Sequence, residues 1–171
     1  MGYQDVLEAL SGTGVAATPG VNAAARSATE TETWLVASAT GGATTILDGD
    51  VMCIDFATYT TVRSRIAKKC AATTDVPLGV AFLNATVTIP QTTAAGDIVQ
   101  PILIMRRGFH HAVSATTGGA AGQALVTSAT SGQGAPVAVA SLTAAQSQTV
   151  IGIAMGAIAA NKVPLLVQPQ A

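Results

Sequence analysis

Apolar positions recur along this chain in short runs separated by glycine, asparagine and aspartate, and they mark strands more than helices. Leu83, Ala85, Val87 and Ile89 alternate with Asn84, Thr86 and Thr88, the period-two pattern of a half-buried strand. Trp34–Ala37, Val51–Phe56, Thr61–Lys69, Ile98–Met105, Phe109–Ser114, Ala124–Thr127, Pro136–Ala140, Val150–Met155 and Val163–Val167 are further predicted strands. Val51–Phe56 and Thr61–Lys69 read as a pair. Pro101 inside the most apolar run argues for an edge position or a bulge there. Gly41-Gly42, Asp48-Gly49-Asp50 and Arg106-Arg107-Gly108 read as turns, and Ser131-Gly132-Gln133-Gly134 as a hairpin loop. Connections are short and no long helical period separates the strands. The expected fold is all-β, an antiparallel barrel or sandwich spanning residues 33–171.

Two stretches match each other. Val76-Pro77-Leu78-Gly79-Val80-Ala81-Phe82 aligns with Thr149-Val150-Ile151-Gly152-Ile153-Ala154-Met155 at an offset of 73, which also lays Gly49-Asp50-Val51 on Gly122-Gln123-Ala124. Ala94–Val99 aligns with Ala159–Pro164 at an offset of 65. The chain therefore reads as two diverged β units. Two copies are too few for a solenoid and suit one closed domain.

The first 32 residues differ. Tyr3, Val6, Leu7 and Leu10 share one face of a predicted short amphipathic helix over Met1–Leu10, with Gly12 as its stop. Ser11–Glu32 has no useful period and reads as an extended arm that orders on a partner.

Composition narrows the function. The 171 residues include 34 Ala and 23 Thr against six aromatics, so the core is thin and help from oligomerisation or docking is expected. Only 10% of residues are charged, where roughly 25% is usual. The net charge of −1 is a poor footprint for nucleic-acid binding. No run reaches ~18 apolar residues, so no membrane helix is expected, and Met1–Leu10 lacks the pattern of a signal peptide. Cys53 and Cys70 are 17 residues apart, which permits a bridge; two buried free thiols are the preferred reading.

Chemistry is sparse. His110 and His111 should point to opposite faces of a strand, one to the core or an interface and one to solvent, which disfavours a shared metal. All nine acidic residues lie at or before Asp97, leaving the last 74 residues without a carboxylate. Asp48, Asp50 and Asp97 flank turn glycines and are expected to serve the backbone. No nucleophile elbow or phosphate-binding loop occurs. No catalytic residue, metal or cofactor is expected. Arg63, Arg65 and Lys69 alternate on a predicted strand, with Lys68 beside them. That face is a solvated, charge-guarded edge, a docking patch for an acidic protein surface or, less favoured because no aromatic residues are interleaved for stacking, a nucleic-acid contact.

The segments Ala94–Val99, Gly108–Val113, Ala120–Val126, Val150–Ala154 and Ala159–Val167 resemble small capsid decoration, or cement, proteins of tailed bacteriophages. The chain departs from that pattern at Asn161-Lys162, where Gly-Asp is expected. The resemblance implies a homotrimer on the outer capsid surface of the virion that stabilises the head and binds the major capsid protein, reaching it through an N-terminal arm. Candidate docking residues are Tyr3, Val6, Leu7, Leu10, Arg63, Arg65 and Lys69. The alternatives are a secreted or surface β module that binds a ligand, and an enzyme whose site would combine Asp50, Asp55 and His110.

Overall fold

The computed structural model describes residues 29–59, 65–116 and 118–169. The predicted helix over Met1–Leu10 and most of the arm lie outside the described residues. Among the described residues there are eleven strands: β1 Glu30–Ala37, β2 Thr44–Ile46, β3 Val51–Ile54, β4 Ile66–Lys69, β5 Pro77–Ala81, β6 Val87–Ile89, β7 Val99–Ser114, β8 Ala124–Thr127, β9 Gly134–Val137, β10 Val150–Ala154 and β11 Lys162–Val167. Two single α-helical turns, α1 Phe56–Tyr59 and α2 Ala144–Ser147, and one 3-10 turn over Val139–Ser141 join them among the described residues.

Strands β1, β4, β3, β5 and β7 run in that order and close, because β7 pairs back onto β1. All contacts in this barrel are antiparallel except β1–β4, where Leu35 and Val36 face Ile66 and Ala67 in parallel. Expecting antiparallel pairing throughout therefore misses one contact. From the far half of β7, a second series continues through β11, β10, β8 and β9. There, β9 returns to the end of β7 through a parallel bridge between Gly134 and Ala115.

The two series share their registers. Val51, Met52 and Cys53 face Val80, Gly79 and Pro77, with a bulge that leaves Leu78 as the extra residue. Ala124, Leu125 and Val126 face Ile153, Gly152 and Val150, with a bulge at Ile151. Every one of these positions differs by 73 from its counterpart. Hydrogen bonds repeat likewise: Gly49 N–H to Ala81 O (2.9 Å) and Ala81 N–H to Asp50 O (2.8 Å) correspond to Gly122 to Ala154 and Ala154 to Gln123, both 2.8 Å. On the next strand the offset is 61 rather than 65, because Ile104 and Met105 face Ala81 and Val80 where Leu165 and Leu166 face Ala154 and Ile153.

The largest departure from expectation is β7. Arg106-Arg107-Gly108 is not a turn but the middle of one 16-residue strand. A single strand can serve both series because its first half pairs with β1 and β5 and its second half with β11. Gly108, at φ +127, allows the backbone to pass against Thr29 at the crossover. Pro101 faces Leu35 at the start of the strand, before pairing with β5 begins, so its missing N–H costs no bond on that side. Other boundaries shift too: the predicted strand Pro136–Ala140 becomes β9 at Gly134–Val137 followed by the 3-10 turn, and of Thr61–Lys69 only Ile66–Lys69 is strand among the described residues, with Arg65 before it. Only Val87–Ile89 of the alternating Leu83–Ile89 stretch forms a strand, in a two-stranded sheet with β2. After Ile54 the chain leaves the sheet for α1, whose Ala57 N–H is taken up by the Asp55 carboxylate. Glu30–Glu32, assigned to the arm, belong to β1.

Alternation sorts the side chains. Met52 joins Trp34, Ile46, Leu78, Ile89 and Ile104 in one buried cluster, while its neighbours Val51 and Cys53 join Cys70, Val80, Leu125, Ile151 and Leu165 in another. The cysteines are a disulfide, not the free thiols expected. Cys53 lies on β3 and Cys70 directly after its partner β4, and pairing of those strands brings the Cα atoms to 5.1 Å.

The β10–β11 connection turns through Ala160 (φ 48) and Asn161 (φ 58), both left-handed, as a two-residue hairpin of type I′ requires. Asn161 thus keeps the turn despite lacking the expected Gly-Asp. Ala160 is exposed and carries a Cβ that this region disfavours by about 1–2 kcal/mol. Ala160→Gly should therefore stabilise the protein by about 0.5–1 kcal/mol after the extra chain entropy of glycine. An unchanged or lower urea midpoint would contradict this.

Candidate docking surface and the buried polar network

Asp48-Gly49-Asp50 is the turn that leads into β3, and it lies against the second half of β7. A Cβ on Gly49 would overlap the carbonyl of Ala112, so glycine permits this approach. The turn presents both carboxylates to a polar network. Asp50, almost fully buried, pairs with Lys69 Nζ at 3.1 Å, and its carboxylate also accepts from Leu47 N–H (3.0 Å) and Ser114 Oγ (3.3 Å). Lys162 Nζ donates to Ser114 Oγ at 2.8 Å and to the Asp48 carbonyl at 3.3 Å. The Asp48 carboxylate accepts from Leu83 N–H at 2.9 Å and meets His110 Nε2 at 3.3 Å.

His110 is buried and His111 exposed, as strand alternation predicts. The rings nevertheless stack, nearly parallel with centroids 5.3 Å apart. The reason is the register shift in β7–β11 pairing, where Val163 faces Val113 but Leu165 faces His110. The bulge also turns Ala112 N–H onto His110 Nδ1 at 3.2 Å. With Nδ1 accepting, the ring proton sits on Nε2, toward Asp48. Burial lowers the His110 pKa below its ordinary value; Asp48 opposes this, and His111 and Lys162 add to it.

The unfolded chain therefore takes up a proton at His110 near pH 6.5, where the folded chain does not. Stability should be complete above about pH 6.5 and fall as the pH drops toward the lower folded value. His110→Gln, which keeps one donor and one acceptor, should flatten the urea midpoint between pH 7.5 and pH 5. An equally steep loss in the variant would contradict the assignment. Asp75 acts in a separate, more acidic window. Burial raises its pKa, but Ala71 N–H, Lys68 and Ala72 N–H together carry it below the usual carboxylate value, so its contribution is lost only below about pH 3.8.

The basic residues singled out for docking do not form one free face. Arg65 pairs with Glu32 and lies over the Trp34 ring, 5.7 Å from its centroid. Lys68 pairs with Asp75 at 3.1 Å, and Lys69 is committed to buried Asp50. The structure separates Arg65 at one end of β4 from Lys69 at the other. Arg63, Tyr3, Val6, Leu7 and Leu10 lie outside the described residues. Glu32 ties the Arg65 end together, accepting from Trp34 Nε1 (3.0 Å) and Arg106 (3.1 Å).

Beside this cluster Trp34, Ile54, Phe56 and Arg65 line a notch of about 360 Å³, and Phe56 is 62% exposed. Its position as one of only six aromatics was a signal the sequence offered. A second cleft, of about 590 Å³, is lined by Glu30, Glu32, Arg106, Arg107 and Gln168. Asp55, Asp50 and His110 do not meet in one pocket: Asp55 borders a cleft with Thr44, Ala67 and Lys68, while Asp50 and His110 are buried in the network. Among the described residues no group of three or more His, Cys, Asp or Glu is placed to hold a metal ion, and no helix is long and apolar enough to cross a membrane. No protein-family model matches the chain, and no curated protein or solved structure matches it.

Proposed function

We propose that this chain is a structural virion protein, a homotrimer that binds the outer surface of a tailed-phage capsid and stabilises it, without catalytic activity. The observation that carries the non-catalytic part is the use of the carboxylates. All five described aspartates, Asp48, Asp50, Asp55, Asp75 and Asp97, accept backbone N–H bonds. Three of them also pair with a cation or histidine of the same chain. They hold turns rather than converge on a substrate.

The attachment part is supported by the resemblance of residues 94–167 and by large apolar side chains left exposed at Phe56, Phe82, Phe109, Val139 and Met155. Matching registers and hydrogen bonds support a chain made of two diverged β units. The Cys53–Cys70 bridge suits a protein that works outside a reducing cytosol, which a virion surface and a secreted ligand-binding module share.

The test is addition of the purified protein to undecorated heads. Saturable binding that raises the melting temperature of the heads is expected, and a version lacking residues 1–28 should remain folded but bind more weakly. Equal binding by the shortened chain would remove the arm from the account. No binding by the full chain would overturn the function.

A further inference from the structure

Cross-strand pairing lines up one apolar row on the outer side of each strand series. In the first, Met105 faces Val80, Val80 faces Val51, and Cys70 N–H bonds Val51 O at 3.0 Å. All four are buried, and the β8–β9 loop lies against them, with Val51 N–H bonded to Gly132 O at 2.9 Å and Gly132 N–H to Cys70 O at 2.8 Å. In the second series Leu166 faces Ile153, Ile153 faces Ala124, and Ala124 faces Val137. Their neighbours Leu165 and Val167 point the other way, into the core with Leu125 and Ile151. Only one end of this second row is covered, where Leu142 packs on the cluster of Ala124, Val126 and Val150. At the other end Ile153 and Leu166 are half-buried, and Phe109, which faces Leu166 across the β7–β11 pair, is 52% exposed.

The chain enters the fold beside that open end. One edge of β7 is taken by β5 and the Gly49 turn, with Phe82 N–H bonded to Leu103 O and Ser114 N–H to Gly49 O. The other edge is shared by β1 and β11, which both run antiparallel to β7 and meet end to end: Glu30 faces Arg107 and Val167 faces Gly108. Thr29 lies against Gly108, where a Cβ would come 3.0 Å from its Cα. The chain before Thr29 cannot continue along β7, because Val167 holds that place. It cannot turn inward, because Val167 and Leu165 are fully buried. The remaining side is the outer one, where Leu166 and Phe109 stand.

We propose that the open Phe109–Leu166–Ile153 row is the seat of this chain's own N-terminal segment, which covers it with the stripe Tyr3, Val6, Leu7 and Leu10. An amphipathic stripe laid on the apolar face of a sheet is an ordinary two-layer arrangement. The 18 residues Ser11–Ala28 reach up to roughly 60 Å when extended, while the row from Phe109 to Ile153 crosses only about 10 Å of sheet. A tether of that length holds the stripe at an effective concentration on the order of millimolar, which favours the chain's own face over that of a second copy. The second row then gains the burial that the first already has. A capsid that takes up the arm has to displace it from this face. The contact belongs to the protein before it attaches, so it stands or falls separately from the capsid reading.

The test is hydroxyl-radical footprinting of the full chain, read at Phe109 and Leu166. Labelling of both should rise severalfold in a Leu7→Asp/Leu10→Asp variant whose circular dichroism spectrum is unchanged. Equal labelling in variant and wild type would overturn the proposal. Should that variant not fold, Phe109→Ser, at an exposed position, takes its place; labelling of Tyr3 should then rise, and no rise would overturn the contact equally. A second copy is distinguished by refolding isotope-labelled wild type with an excess of the unlabelled Leu7→Asp/Leu10→Asp chain. Phe109 of the labelled chains should stay protected. Loss of protection in the mixture would mean that another copy brings the stripe, and would overturn the own-chain contact.

Discussion

Gly152→Ala should lose about 4 kcal/mol or more of stability, and Gly79→Ala should do the same. Both glycines sit inside strands where the neighbouring backbone passes too close for a side chain. A Cβ on Gly152 would overlap the carbonyl oxygen of Leu166, and one on Gly79 that of Met105, where Gly79 also holds φ +154. The obstacle in each case is backbone in a paired strand, not a movable side-chain tip. Relief would have to break ladder bonds on both sides of β5 or β10. A cost above about 4 kcal/mol is expected, against a typical total of about 5–15 kcal/mol. Gly41→Ala is the matched control, because it has open space and no left-handed backbone, and it should be close to neutral. Far-UV circular dichroism and thermal melts of the three variants decide the matter. A Gly152→Ala protein melting within a few degrees of the wild type would contradict the close packing of β10 on β11.

The second large effect concerns the disulfide. Replacing Cys53 and Cys70 together by valine should lower stability by about 3 kcal/mol, the loop-closure entropy of a segment this short. For a chain of this size that is a fall of roughly 6–12 °C in Tm. Valine is the appropriate replacement because Val126 and Val137 pack in the β8–β9 pair, which matches β3–β4 in register and holds without a bridge. The substitution then removes the cross-link with little change in packing volume. A Tm within 2 °C of the wild type, measured without reductant, would mean that the bridge adds nothing beyond the β3–β4 pairing.

Much of the architecture was legible in the residues. Gly79 and Gly152 could be placed inside strands from the apolar runs around them, and both face a backbone that approaches too closely for a side chain. Ala124–Thr127 and the Ser131–Gly134 loop were readable from alternation and turn chemistry alone. The long strand β7 was not, since Arg106-Arg107-Gly108 has turn composition, and only the change of partners along the strand explains its continuity. The capping box of Thr143 and Gln146, which starts α2, was present in the sequence but overshadowed by the β pattern. The disulfide was hidden for a different reason. A separation of 17 residues permits a bridge, but only the β3–β4 pairing decides that the two Cα atoms meet.

The polar network shows the limit of reading charges along a line. Arg63, Arg65 and Lys69 look like one alternating face. In the fold, Lys69 is drawn inward because Asp50 is buried beside it, and Arg65 is drawn to Glu32 and Trp34. These partners lie up to 33 residues away in sequence, and β1–β4 pairing alone brings Glu32 and Arg65 together. Alternation required one of His110 and His111 to face inward without saying which, and the fold buries His110. Its stacking on His111 depended on a bulge that only the β11 register reveals.

The central claim, a multi-copy structural protein that needs no ligand, is tested most directly by native mass spectrometry of the intact chain. The account predicts one species at three times the 17.0 kDa chain mass, with no bound small molecule. A monomer carrying a glycan or other ligand would contradict it and favour a ligand-binding surface module.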